Sequence, residues 1–186
     1  MNQSRFPLRL VALFPHEDAA RPLRSYRRDL LAAGLSGARS FPLCAPLAVL
    51  DRPLAQDELA TLAEEIRSCA LRADERGRIS AAAPVSLADG GLPPRLALPL
   101  SLSTPQTFPS GAALSLCGQP ALVLALLSDG EEALGSLDYP FAAGDPLSFR
   151  AAYIANIVVA PTESGDPRFS FEWEIGKPRW LPGDRE

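Results

Sequence analysis

Proline and glycine divide this chain into short segments, and no other sequence feature constrains its fold as much. Nineteen prolines and 13 glycines occur among its 186 residues. Proline has a fixed φ angle and no backbone N–H, so it ends or interrupts helices and strands, whereas glycine favours turns. The sequence therefore predicts few long helices and many short strands joined by well-marked loops.

The composition is typical of a globular protein of ordinary size. Hydrophobic residues make up 47% of the chain and charged residues 22%, and a chain of this length buries roughly 70% of its unfolded surface. These values predict one domain, or two small lobes that share a core. The net charge of −4 argues against broad electrostatic binding to nucleic acid or anionic lipid.

No segment has the character of a membrane span, an export signal or a metal site. The apolar run Pro120–Leu127 is far shorter than the ~20 residues of a spanning helix, and Leu10–Phe14 is too short for a signal peptide. Cys44, Cys69 and Cys117 form no CxxC pair, which predicts neither disulfides nor bound zinc. We expect a cytoplasmic protein without membrane contact, metal or cofactor.

The first third of the chain alternates between strand and helix. Residues 7–14 are mostly apolar and predict a strand in the middle of a sheet. A helix with one apolar face follows. It is expected to begin near residue 19 or 20, with Pro22 in its first turn, and to end at Gly34.

A second strand and helix follow this pair. Residues 39–50 are extended and apolar, but Pro42 and Pro46 each remove a backbone donor, so this strand is predicted to be an edge strand or interrupted. Residues 56–73 predict an amphipathic helix, with acidic residues in its first turn.

The remainder of the chain is predicted to be rich in β-strands. Gly118-Gln119 has the length of a hairpin turn, residues 129–137 could form a short helix, and residues 90–111 a long surface connection. The order of elements predicts an α+β fold, with antiparallel-rich sheets and two main helices packed outside. The candidate strands are residues 79–87, 95–102, 112–117, 121–127, 149–160 and 169–180.

A basic strip lies on the first predicted helix. Arg21, Arg24, Arg27 and Arg28 have helical spacing, and such a strip is usually a solvated helix face, which is our interpretation. Trp173, Trp180 and Phe171 alternate with polar residues near the C-terminus. We interpret them as core or lid packing rather than as a platform for stacked bases.

Few residues suit acid–base or nucleophilic catalysis. His16 is the single histidine, and its place between a strand and a helix favours a structural role. Cys44 lies in an apolar strand without cationic neighbours in the local sequence, which predicts a buried, unreactive thiol. No GxSxG, HExxH, Walker A or GxGxxG motif occurs.

The order of elements resembles the two-histidine phosphoesterase superfamily, which includes the 2′-5′ RNA ligase-like proteins and cyclic phosphodiesterases. The resemblance rests on the strand and Phe-Pro turn at Leu10–Pro15 and on the helix, strand and helix that follow. It implies a single two-lobed domain over residues 1–186 with a central cleft. The family's two His-x-Thr motifs would fall on Cys44–Leu50 and Ala155–Val159.

The catalytic groups of that family are absent at the matched positions. Cys44 and Asn156 stand where the resemblance implies histidines, and Pro46 and Val158 stand where it implies hydroxyl residues. We therefore expect no phosphodiesterase turnover and predict a pseudoenzyme that binds a nucleotide, an RNA end or a protein partner, with these four residues in its ligand cleft. The alternative is an enzyme with a relocated site that uses His16 or Cys44 together with arginines such as Arg9, Arg39 or Arg150.

Overall fold

The protein has an α+β fold with two main helices and antiparallel sheets, as predicted. The computed structural model describes residues 7–88, 92–102, 112–127, 147–161 and 171–181. The single two-lobed domain remains a prediction. The elements are β1 (Leu8–Pro15), α1 (Glu17–Ala32), the 3₁₀ turn Ser36–Arg39, β2 (Ala45–Leu50), α2 (Gln56–Ala73), β3 (Ile79–Ala81), β4 (Val85–Leu87), β5 (Arg95–Pro99), β6 (Ala113–Leu116), β7 (Ala121–Leu126), β8 (Leu147–Phe149), β9 (Ala151–Pro161), β10 (Phe171–Ile175) and β11 (Arg179–Trp180).

The largest sheet has β1 at its centre. Its strand order is β10-β9-β1-β2-β6, and the short β11 also pairs with β9. Residues along β1 alternate between two apolar clusters, so the strand is buried on both faces and its predicted central position is confirmed. One face packs against α1 and α2. The other packs against Phe41, Leu92 and the side chains of β7.

The second strand is interrupted but is not an edge strand. It covers only residues 45–50 and lies between β1 and β6. Pro46 tolerates this position because the pairing register with β1 shifts there, between the pairs Val11–Ala48 and Ala12–Pro46. The shift leaves Leu47 without a partner in β1 and disrupts the ladder next to Pro46, which suits a residue without an N–H.

The first helix begins earlier than predicted. His16 is its N-cap, and the imidazole Nδ1 accepts a hydrogen bond from the Asp18 N–H at 3.4 Å. Pro22 consequently lies inside the helix rather than in the first turn. The second helix, by contrast, has its predicted bounds. Its Glu58 accepts the Ala55 N–H at 2.7 Å and forms a two-point ion pair with Arg52.

The β-rich remainder completes the large sheet and forms two smaller ones, and Gly118-Gln119 is not a hairpin turn. The strand before it, β6, pairs with β2 in the large sheet, whereas the strand after it, β7, pairs with β5 in the sheet β4-β5-β7. The remaining pair is β3-β8. The predicted helix at 129–137 lies outside the described residues. Within them, no helix is long and apolar enough to cross a membrane.

Candidate functional site

A large cavity lies where α1 meets the β7-facing side of the large sheet. Its volume is about 830 Å³. It is lined by the polar side of α1, by residues 38–43 of the connection to β2, and by β1, β9 and β10. Five arginines contribute to the lining, namely Arg21, Arg24, Arg27, Arg28 and Arg39. Four of these are the basic strip, which is therefore a cavity wall rather than only a solvated helix face.

The lining concentrates positive charge in an acidic protein. Glu17 is the one acidic residue among the described lining residues, so the cavity carries a formal charge of +4 while the chain carries −4. Glu17 is also engaged already. Its two carboxylate oxygens accept hydrogen bonds from Arg24, both at 2.8 Å, and this pairing lowers the pKa of Glu17.

Arg27 is a half-buried cation without a carboxylate partner among the described residues. Its guanidinium donates to the carbonyl oxygens of Ala38 at 2.6 Å and Phe41 at 2.5 Å. Burial lowers the pKa of Arg27 to about 10, so the side chain stays protonated at neutral pH. Charges withdrawn from water are normally paired. The side chains that act electrostatically on Arg27 are instead the Cys44 thiol, which burial keeps neutral, and two further arginines, Arg24 and Arg39.

Three further arginines keep donors for a ligand. Among the described residues, Arg21, Arg28 and Arg39 have no carboxylate within ion-pair distance; Arg28 bonds only the Ser25 hydroxyl, at 3.3 Å. Guanidinium groups match the geometry of phosphate and carboxylate oxygens in two-point contacts. The arrangement can therefore bind a multiply charged anion.

Aromatic side chains form the opposite wall. The Phe14 and Tyr153 rings are stacked, with centroids 4.6 Å apart. Trp173 also lines the cavity and is 40% exposed. Of the two interpretations from the sequence, core packing is wrong for Trp173, because β10 is an edge strand and leaves the indole partly exposed; lid packing stays a prediction.

The four residues predicted to bind a ligand lie on two different faces of the sheet. Residues directly opposite in antiparallel strands share a face. Pro46 is opposite Ala12, whereas Asn156 is opposite Val11 and Val158 is opposite Arg9. Since β1 side chains alternate in direction, Pro46 lies on one face, and Asn156 and Val158 lie on the other.

Cys44 and Pro46 are both buried, and neither lines the large cavity. Cys44 belongs to the same apolar cluster as Ala12, and its carbonyl accepts the Val123 N–H at 3.0 Å. Burial raises the pKa of the Cys44 thiol well above its usual range, which disfavours the thiolate.

Asn156 is occupied by a structural contact, whereas Val158 is partly exposed. The Asn156 amide oxygen accepts the Leu54 N–H at 2.9 Å, and the amide nitrogen donates to the Leu54 carbonyl at 2.8 Å. These two bonds fix the connection between β2 and α2 to β9. Val158 is 37% exposed near the end of its strand. The ligand role proposed for the four residues remains a prediction.

Replacing Asn156 with alanine is expected to lower the free energy of unfolding by about 2 kcal/mol, because the buried Leu54 backbone loses both partners. At this chain length the melting temperature should fall by about 4 to 8 °C. Gln56→Ala is the matched control, since its amide makes a single exposed 3.4 Å bond to the Lys177 carbonyl. An Asn156→Ala protein of unchanged stability would contradict the structural role.

His16 is placed beside the large cavity rather than in its lining. Its Nδ1 lies 3.1 Å from the Asp18 carboxylate, and its main structural contact is the helix cap.

Cys44, Cys69 and Cys117 are all free thiols. In the described part of the chain no three His, Cys, Asp or Glu side chains are grouped so that they could hold a metal ion.

Comparisons with known proteins add no family to this description. No family model, no curated protein and no solved structure matches the chain. The function must therefore be argued from the geometry of the cavity.

Proposed function

We propose that the protein is a binding module that holds a phosphorylated nucleotide in the arginine-lined cavity without hydrolysing it. The observation that carries this proposal is Arg27, a half-buried cation that lies near Arg24 and Arg39 and has no acidic partner among the described residues. A bound anion would supply the missing negative charge. The proposal keeps the nucleotide predicted from the family resemblance but moves its site away from the motif positions.

A nucleotide fits the remaining features of the cavity. Phosphate oxygens suit the free donors of Arg21, Arg28 and Arg39, and a base suits the aromatic wall of Trp173 and Tyr153. The volume of about 830 Å³ is far more than one phosphate needs and lies within the usual range for small-molecule sites. An inorganic anion alone would leave the aromatic wall unused.

We do not propose turnover, because the side chains that could act as general acid or general base here are already engaged or buried. Proton transfer by positioned groups contributes about 10²- to 10⁴-fold per group in enzymes. Glu17 is bound to Arg24, Cys44 is buried in the apolar cluster, and the Nδ1 atom of His16 caps α1. This argues against the alternative enzyme with a relocated site.

We also propose the cytoplasm, where nucleotides are abundant, as the protein's location.

A thermal-shift titration tests the proposal with nucleoside monophosphates, 2′,3′-cyclic nucleotides, the corresponding nucleosides and inorganic phosphate. A ligand at about 100 times its Kd adds ~2.7 kcal/mol, which at this length raises the melting temperature by about 5 to 10 °C. We expect a saturable shift with nucleotides, a smaller one with phosphate and none with nucleosides.

Three results would overturn the proposal. Equal shifts with nucleotides and nucleosides would exclude the arginines as the binding groups. No shift with any ligand would favour a protein partner instead. Appearance of a hydrolysed product in the cyclic-nucleotide samples would favour the enzyme alternative, and His16→Ala and Cys44→Ala variants would then identify the reacting group.

A further inference from the structure

A second, smaller cavity adjoins the large one. Its volume is about 320 Å³, and His16 and Trp180 are among its lining residues. The two cavities share a wall formed by Phe14, Glu17, Arg24, Leu43 and Tyr153. A ligand that extends past this wall can therefore occupy both.

Each cavity has its own exposed tryptophan. Trp173 lines the large cavity only, and Trp180 lines the small cavity only. Trp180 is 45% exposed although it lies in β11, directly opposite Tyr153 in the sheet. Its ring meets the Tyr153 ring edge-on, with centroids 5.1 Å apart. The wall between the cavities is thus aromatic, with an exposed indole on either side of it.

Guanidinium groups at the shared wall suit a linking phosphate. Arg24 belongs to both cavities, but Glu17 offsets its charge there, so the net positive charge beside the wall comes from Arg21. Arg21 lies one helical turn from Glu17 on the same side of α1 and lines the large cavity. A phosphate between two rings would meet these guanidinium groups where the cavities join.

We infer that the two cavities form one composite site for a ligand with two bases joined through phosphate, with one base against Trp173 and the other against Trp180. This inference rests on the proposed function and extends it from one nucleotide to two. The ligand can be a free dinucleotide or two consecutive nucleotides of a single strand, since both present the same chemistry to the site.

Calorimetric titration with a mononucleotide and with the dinucleotide of the same base tests the inference. Stacking of a base on an aromatic side chain is a substantial and sequence-tolerant contribution. We expect the wild-type protein to bind the dinucleotide at least about tenfold more tightly than the mononucleotide. Trp180→Ala should reduce this ratio to about one, whereas Trp173→Ala should weaken both ligands.

The outcomes separate this inference from the proposed function. Equal affinity of the wild-type protein for both ligands would overturn the composite site and leave nucleotide binding intact. Failure of both ligands to bind would overturn the proposed function itself. An unchanged affinity ratio in Trp180→Ala would also overturn the composite site.

Fluorescence gives a second readout that needs no loss of the Trp180 side chain. The chain has two tryptophans, so Trp173→Phe leaves Trp180 as the single indole. The dinucleotide should quench the emission of Trp180 saturably and the mononucleotide should not. Equal quenching by both ligands would contradict the assignment of Trp180 to the second base.

A hexanucleotide without a terminal phosphate distinguishes a free dinucleotide from a segment of a single strand as the ligand. It binds like the dinucleotide only if the site accepts an internal segment of a strand.

Discussion

Replacing Arg21 and Arg39 together with glutamine is expected to weaken nucleotide binding about 100-fold. A hydrogen bond to a charged group contributes about 1.5 to 3 kcal/mol, and each 1.4 kcal/mol changes an affinity tenfold. Arg21 and Arg39 approach the cavity from α1 and from the turn after it, and neither has an acidic partner among the described residues. Their loss should therefore remove ligand contacts without breaking internal ion pairs. Calorimetric titration measures the effect.

The control for this variant removes the same charge elsewhere. Arg67 and Arg76 are exposed and line neither cavity, so Arg67→Gln with Arg76→Gln changes the net charge equally. We expect this control to bind nucleotide within about twofold of the wild-type protein, since exposed charges that do not line the cavity are screened by water and salt. Equal weakening in both double variants would mean that net charge alone causes the effect. That result would contradict a specific anion-binding site in the cavity. Arg27 is left in place because its carbonyl contacts make it part of the fold.

Replacing Gly37 with alanine is expected to lower the free energy of unfolding by about 3 kcal/mol or more. A Cβ atom at this position would lie 2.0 Å from the Leu126 carbonyl oxygen and 2.8 Å from its carbon. Both are backbone atoms of β7, so the 3₁₀ turn itself would have to move, and such overpacking is costly. The melting temperature should fall by about 6 to 12 °C.

Gly34→Ala is the matched control for Gly37→Ala, because it lies in the same connection between α1 and β2. Gly34 has φ of +99° but no atom within 4 Å of an added Cβ, so its cost is backbone strain alone, about 1 kcal/mol. A Gly37→Ala protein as stable as Gly34→Ala would contradict the close approach to β7. Because the same turn carries Arg39 and the Ala38 carbonyl, we also expect Gly37→Ala to weaken nucleotide binding.

Local patterns predicted the elements whose neighbours are close in sequence. The second helix has its predicted bounds because its apolar face and its acidic first turn both lie within residues 56–73. The continuous apolar run of β1 indicated a central strand, since only a strand covered on both faces tolerates it. The turn at Gly118-Gln119 was misinterpreted because turn residues do not indicate which sheet each flanking strand joins.

The candidate site shows the same division. The sequence contains the helical spacing of Arg21, Arg24, Arg27 and Arg28, and this was the signal that could have located the cavity. It does not contain the wall that faces them, because Tyr153 and Trp173 are more than 120 residues away in the chain and reach α1 only through the pairing of β9 with β1 and of β10 with β9. The same spacing therefore suits a solvated face and a cavity wall equally well.

The sequence by itself determined the class of fold, the two helices and the central strand, because periodicity, capping and the positions of proline act over a few residues. Only the tertiary structure decided that Asn156 binds the Leu54 backbone, that Cys44 is sealed in an apolar cluster and that the arginines enclose a cavity. These features depend on strand order and register. A shift of one residue in the pairing of β9, for example, would turn Asn156 to the opposite face of the sheet.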